Sequence, residues 1–558
     1  MRLTIATGLI TDGLHLLLMI MLHTYLSDFS AYHFFYFNMH IQVSWSTYAM
    51  GFFCFSIGLI MVVARFSLFY LHRDVYFYKF FALLSILQLA VTFLLLTNSS
   101  ESIFIGWELL GLSSVLLIAF YEHRSSALKN SLIILVIYKI ADVLFYSALI
   151  GAAFWGKYSY VQIEQPFLML LILLACLIKS SLFPWIWLPR AMEGPTPSSA
   201  IFYGGIATHI PIFLFLNLSL HHPFTHSFIF VVVFSILTIV TVLTSLLSRQ
   251  ASDAKSAIAY ASITQMGLIY GEILLGWYTF ALIHTIVNGS YRTMEFIKSP
   301  SLIYNRRLIE TNRKNSSFPA THYSSLFTKL YQLTYHEFYL PRLLIHCIEW
   351  FLGLHNTRAH VKATRNYLLN SLLCFLLFEF CIYTLLHIKI SLQNEVLFLL
   401  GISFNVLSTL FKYKPIYFFM AISASTLTVF TILFNQLHAS ALPFEWLYFF
   451  FMLTLLYQLL PHKKKESLSL NYTGKLFHST AANLIILIVG ISLLGIPGLT
   501  SYLIWERLEH QLLPHSPDLI INGFFILALN TIVFFRFYYS NFLGKPTFAN
   551  QYETFQRR

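Results

Sequence analysis

Charge is scarce in this sequence. Asp, Glu, Lys and Arg make up 10% of its 558 residues, where a soluble domain carries roughly 25%, and the deficit excludes an ordinary soluble protein. Cysteine is scarce too. Of the 5 in the chain, Cys54, Cys176, Cys374 and Cys381 fall in apolar runs and Cys347 in a mixed one, with no paired spacing. They read as packing residues, not as a disulfide framework, a haem attachment or a thiolate zinc site. The apolar runs lack alternation by two, which excludes a β-barrel. No small-residue cleavage site follows the first apolar stretch, Ile5 to Tyr25, behind its single Arg2; it reads as a retained first span rather than a signal peptide. Acidic residues number 23 against 35 basic ones, a formal net charge of +12. Much of the basic excess sits in short polar connections, such as Arg306, Arg307, Arg313, Lys314 and Lys463 to Lys465. Clusters of that kind at span ends orient a membrane chain, and no nucleic-acid partner is expected from them.

What abounds is apolar surface, with 57% hydrophobic and 17% aromatic residues. A hydrocarbon core of ~30 Å takes about 20 apolar residues per helix, which leaves room for ~14 to 16 transmembrane helices. The expected fold is all-α, a polytopic protein integral to the membrane and in contact with its lipid. Candidate spans lie near 5–26, 46–70, 77–97, 101–121, 128–155, 166–187, 197–220, 226–248, 255–275 and 277–297. Residues 1–300 therefore form a bundle with short connections. Residues 301–365 turn polar and basic with scattered leucines, too interrupted for a span, and read as a loop with interfacial amphipathic helices. Residues 366–558 hold a second transmembrane set.

Two apolar regions are punctuated by helix breakers: Pro184, Pro189, Pro195 and Pro197 in one, Gly495, Pro497 and Gly498 in the other, near 495–507. They predict two interrupted helices. Irregular backbone at membrane depth occurs where it lines a cavity or lies against protein, so function is expected near them. An ionisable group at mid-membrane costs at least ~2.5 to 3.5 kcal/mol and needs a reason. Several are present: Glu108, Lys139, Asp142, Lys179, Arg292 with Glu295, Glu506 with Arg507, and Arg536. Lys139 and Asp142, three apart, share a helical face where an internal ion pair could form. His284, Asn288 and Arg292, spaced by four, line one face over two turns. Carboxylates, amines and imidazoles on polar stripes, with water between them, are what a proton relay requires. The blander readings stand beside this one. Arg536 and Lys255 sit where long cations snorkel to the interface, the Lys139–Asp142 pair could be purely structural, and His284 could be a hydrogen-bonded interior histidine.

These residues sit inside longer strings. Gly106-Trp-Glu-Leu-Leu-Gly-Leu-Ser-Ser114 resembles the GWE motif of the antiporter-like proton-conducting membrane subunits of respiratory complex I and of Mrp-type cation/proton antiporters. Met192-Glu-Gly-Pro-Thr-Pro-Ser-Ser-Ala200 is similar to their MEGPTPxSA motif, and Asp253 to Gly267 to a further family segment. The likeness runs in order from about Arg65 to Pro300 and returns more weakly from Gly495 to Arg536. The resemblance implies that Glu108 is a mid-membrane glutamate whose charge a lysine modulates. It implies that Lys179 is the central lysine on an interrupted helix, and that Lys139 and Asp142 are a basic and acidic pair one helix earlier. Lys255 falls within the third segment. His284 matches the first position of an H-x-x-x-H-x-x-x-K face, on which this chain has Asn288 and Arg292. Arginine does not release its proton at working pH. Tyr203 stands where the family has a histidine, with His209 nearly two turns on, and Glu506 stands nine residues after Pro497 where the family has a lysine.

Pro197 to Tyr203, Tyr291 to Phe296 with Ser299 to Ser301, and Glu506 resemble a divergent branch, that of the B subunit of the Dab inorganic carbon transporters. That resemblance implies a bacterial cytoplasmic (inner) membrane and a large soluble zinc-containing partner similar to a β-type carbonic anhydrase. It also implies assembly as a dimer of heterodimers, and an ion gradient that energises carbon dioxide and bicarbonate uptake. The zinc would be the partner's and this chain would carry no cofactor, since His336-Glu337 lacks the second histidine that a zinc-binding helix needs four residues on. The alternative reading is a proton-pumping subunit of a complex I or Mrp-type assembly. A third is a non-conducting membrane anchor, which has no need of Glu108 and Lys179. In each case 301–365 is the candidate docking surface or a membrane-surface helix.

Overall fold

The computed structural model describes residues 32–36, 39–43, 46–121, 124–157, 159–223, 228–251, 253–299, 487 and 517–538. The first span expected near 5–26, the segment 301–365, the broken helix near 495–507 with Glu506, and most of the second transmembrane set lie outside the described residues. Helices dominate. The exception among the described residues is a two-stranded sheet of β1 (Tyr32–Tyr36) and β2 (Met39–Val43), between the first two expected spans; its aromatic and β-branched residues favour extended backbone.

The described elements fall into two compact units. The first holds α1 (Thr47–Tyr70), α2 (Phe77–Leu96) and α3 (Ser100–Ile118). It resumes at Leu173, within α5 (Pro166–Lys179), and continues through α6 (Ile210–His221), α7 (Phe228–Gln250), α8 (Ala254–Leu274) and α9 (Tyr278–Lys298). In the second unit α10 (Pro517–Tyr538) packs along α4 (Ser125–Phe154), with the Tyr146 and Phe524 rings 4.2 Å apart. Among the described residues, six helical stretches are long and apolar enough to cross a membrane, and shorter apolar helices include Pro166–Lys179. The chain is an integral membrane protein.

Local chemistry sets the helix ends. Ser46 accepts from the Ala49 amide at 3.2 Å and starts α1, and Asp253 accepts from the Ser256 amide at 2.9 Å and starts α8; each satisfies an amide left over at a helix N-terminus. Helix α8 ends on Gly276, whose φ of 82° few other residues adopt. The amides of Gly276 and Trp277 then return to the Ile273 and Glu272 carbonyls at 3.0 and 2.9 Å, closing a Schellman motif. Helix α9 starts two residues later and packs back on α8.

Helix α9 is inverted with respect to a soluble helix. On α9, Phe280, Ile283, Val287, Tyr291 and Met294 are exposed while Thr285, Asn288 and Thr293 are buried. In water that face would aggregate; in hydrocarbon it is solvated, and the polar stripe is what needs protein around it.

Candidate functional site

The expected interruption after α5 is present. Helix α5 ends at Lys179, and the amides of Ser181 and Leu182 return to the Ile178 and Leu177 carbonyls at 3.1 and 2.9 Å. This is the same terminating motif as at Gly276, but Ser181 occupies the left-handed position with φ 64°. A side chain there costs about 1–2 kcal/mol relative to glycine. Short turns at Trp187–Arg190 and Ala191–Glu193 follow, and the chain re-enters helix at Thr196–Ser198. From Ser199 to Gly205 the helix widens to π geometry, with the Ile206 amide reaching the Ile201 carbonyl at 2.8 Å. Thr293 of α9 donates to the Ala200 carbonyl in this stretch at 3.3 Å. A Cβ on Gly205 would sit 2.7 Å from that Thr293 hydroxyl, so glycine permits the close approach. Helical irregularities of this kind recur at functional sites.

Lys179 is 1% exposed. Its ammonium donates to the Trp107 carbonyl at 2.7 Å and lies 3.9 Å from the centre of the Trp107 ring. It therefore reaches the turn of α3 that carries Glu108, itself 4% exposed. The sequence places these side chains 71 residues apart; the fold brings the lysine to the residue beside the glutamate. Ser180 meets the Tyr270 hydroxyl at 3.2 Å, and the Trp187 indole donates to the Ile178 carbonyl at 2.9 Å. Ser181 Oγ, Trp185 Nε1 and Ser199 Oγ are buried without a hydrogen-bond partner among the described residues. Polar atoms of that kind call for water, as a hydrated seam would supply.

Tyr203 is buried with its ring edge-on to Trp187. His209, fully buried, is the residue that meets α9: Asn288 Nδ2 donates to His209 Nε2 at 3.0 Å. An amide nitrogen only donates, so Nε2 is an acceptor and Nδ1 carries the proton. Nδ1 faces the Thr208 hydroxyl at 3.2 Å, which in turn donates to the Tyr203 carbonyl. His284, one turn before Asn288, holds Glu272 Oε1 at 2.8 Å on Nδ1 and Gln265 Oε1 at 3.1 Å on Nε2. Arg292 is tied to Glu295 at 2.5 Å. The α9 stripe is thus engaged along its length, by α8 at one end and by the broken helix at its middle.

Lys255 departs from expectation. Instead of snorkelling outward it is buried and donates to Thr196 Oγ1 at 3.3 Å, and Tyr70 meets the same hydroxyl at 3.2 Å. Its helix starts beside the re-entry point of the broken helix, so its stem points into protein. The side chain of Arg536 is outside the described set. In the second unit Lys139 and Asp142 form the expected ion pair at 3.2 Å, both buried. Glu272 and Gln265 were not legible as site residues. Their spacing of seven puts them on one face of α8, a signal that Glu272's place near the end of its span obscured.

These features define a helical integral membrane protein with ionisable side chains sequestered inside its bundle. Residues 97–352 match the family described as NADH:quinone oxidoreductase/Mrp antiporter, transmembrane. The chain is 30% identical to NADH-ubiquinone oxidoreductase chain 5 of Dugong dugon over 254 residues, 43% of this chain and 41% of the relative. It is 28% identical over 255 residues to the protein of that name from Yarrowia lipolytica, covering 44% and 39%. The chain thus spans about two fifths of the length of the curated relatives it matches. Among solved structures, a chain of the Mrp complex from Dietzia sp. DQ12-45-1b aligns over 88% of this chain and 71% of its own length, with 14% identity and a TM-score of 0.47.

Proposed function

We propose that this chain is an antiporter-like, ion-translocating membrane subunit that carries protons or another cation within a multi-subunit assembly of the complex I or Mrp type. One observation carries the proposal: a buried lysine seated at a helix break against the turn that bears a buried glutamate. Two such groups in a helical bundle cost too much to be retained for anchoring alone. Protonation of Glu108 changes the field at Lys179, and the broken helix offers buried hydroxyls, His209 and the α9 stripe onward from it. Lys139 with Asp142 supplies a second buried pair, and Lys255, Tyr203 and Arg292 support the polar lining. Glu506 would belong to the second half of the path. The test is gradient-driven proton flux in membrane vesicles: Glu108→Gln and Lys179→Ala should each abolish it with the protein still assembled, and full flux in both sinks the reading.

A second reading keeps this membrane chemistry and changes its use. Asn288 and Arg292 cannot relay protons, and the strings Pro197 to Tyr203, Tyr291 to Phe296 with Ser299 to Ser301, and Glu506 are what resemble the inorganic-carbon branch. There a soluble zinc-containing subunit resembling carbonic anhydrase would dock on the chain in a bacterial inner membrane. Stoichiometric zinc in the assembly purified through this chain, and rescue of a carbonic-anhydrase-deficient strain by both subunits together, favour this reading; a zinc-free assembly counts against it.

A further inference from the structure

Of the three groups in the His284, Asn288 and Arg292 stripe, two cannot release a proton at working pH: the Asn288 amide is not acidic there, and arginine keeps its own. Proton traffic along this stripe must therefore use His284. Both ring nitrogens of His284 face oxygen, Glu272 Oε1 at 2.8 Å and Gln265 Oε1 at 3.1 Å, so both have an acceptor waiting when the ring carries two protons. The other carboxylate oxygen, Glu272 Oε2, is buried and has no hydrogen-bond partner among the described residues. The arrangement is built into the backbone. Glu272 supplies the carbonyl that closes the Schellman motif at Gly276, and the tight connection sets α9 back on α8 with His284 opposite the carboxylate.

Resting on the proposed ion-translocating function, we propose that Glu272 and His284 form a proton-exchanging station at the α8–α9 hairpin, with Glu272 the proton-carrying group and Gln265 holding the ring in place. In the exchange, the proton on His284 Nδ1 moves to Glu272 Oε1 along the existing hydrogen bond. An N–H bond breaks and an O–H bond forms, and an ion pair becomes a neutral imidazole and a neutral acid. Oε2, the carboxylate oxygen left without a partner among the described residues, is where a water would load and unload the proton. The step is felt farther in, because Asn288, one turn beyond His284 on α9, donates to buried His209 at 3.0 Å. One proton at the hairpin thereby changes the field at the histidine of the broken helix.

Flux measured with the full assembly in inverted membrane vesicles tests this. Glu272→Gln should lower flux by on the order of tenfold or more, as loss of a positioned proton-transfer group does, and Glu272→Asp should restore most of it. In pH-difference infrared spectra the wild type should show a carboxyl C=O band that Glu272→Gln lacks. Wild-type flux in Glu272→Gln while Glu108→Gln is inactive overturns the station and leaves the proposed function standing; wild-type flux in both Glu108→Gln and Lys179→Ala overturns that function instead. Reduced flux with an unchanged infrared band gives Glu272 a packing role and also overturns the station. Should Glu272→Gln fail to assemble, His284→Gln carries the same test, and flux retained in it refutes the station.

Discussion

Replacing Lys179 by methionine separates a working charge from a structural one. Methionine keeps the unbranched stem and nearly the volume of lysine, so packing around it at the end of α5 survives. What is removed can be weighed from the geometry. The bond from Nζ to the Trp107 carbonyl, at 2.7 Å, is of the charged type that contributes about 1.5–3 kcal/mol. The cation over the Trp107 ring, at 3.9 Å, contributes about 2 kcal/mol when desolvated. Against these stands the cost of holding an ammonium out of water, still several kcal/mol after relaxation. The terms offset, and the Trp107 carbonyl keeps its place in the α3 ladder. Lys179→Met should therefore shift folding stability by no more than about 2 kcal/mol while flux falls on the order of a hundredfold. The assay pairs the unfolding midpoint of the purified protein with dye-monitored flux in vesicles. Wild-type flux in the variant refutes the reasoning, and so does a loss of flux that only accompanies a collapsed midpoint.

Two other perturbations follow from the same packing. Lys139→Met alone should destabilise by about 3–5 kcal/mol because it leaves the Asp142 carboxylate buried without its cation, and Lys139→Met with Asp142→Leu should recover most of that in a thermal melt. Ser181→Gly should raise stability by about 1–2 kcal/mol by relieving the left-handed backbone after α5, and a lowered melting temperature would show that the serine holds something there.

The membrane class, the helical fold and nearly every described span were legible in the sequence, because hydrocarbon thickness dictates the length of an apolar run whatever its neighbours are. Spans expected near 46–70, 77–97, 128–155 and 255–275 appear as Thr47–Tyr70, Phe77–Leu96, Ser125–Phe154 and Ala254–Leu274. The Lys139–Asp142 pair was legible for a similar reason, since three residues of helix fix which side chains meet. The proline cluster announced an interruption, though not its two parts, a left-handed stop at Ser181 and a π-helical widening at Ser199–Gly205. Contacts between helices distant in sequence were beyond reach. Nothing in the order of residues says that Lys179 meets Trp107, that His209 rather than Tyr203 meets Asn288, that Lys255 points inward to Thr196, or that Glu272 faces His284. Periodicity assigns a residue to a face of its own helix; only packing, through helix ends and glycine-permitted approaches, decides which other helix that face meets.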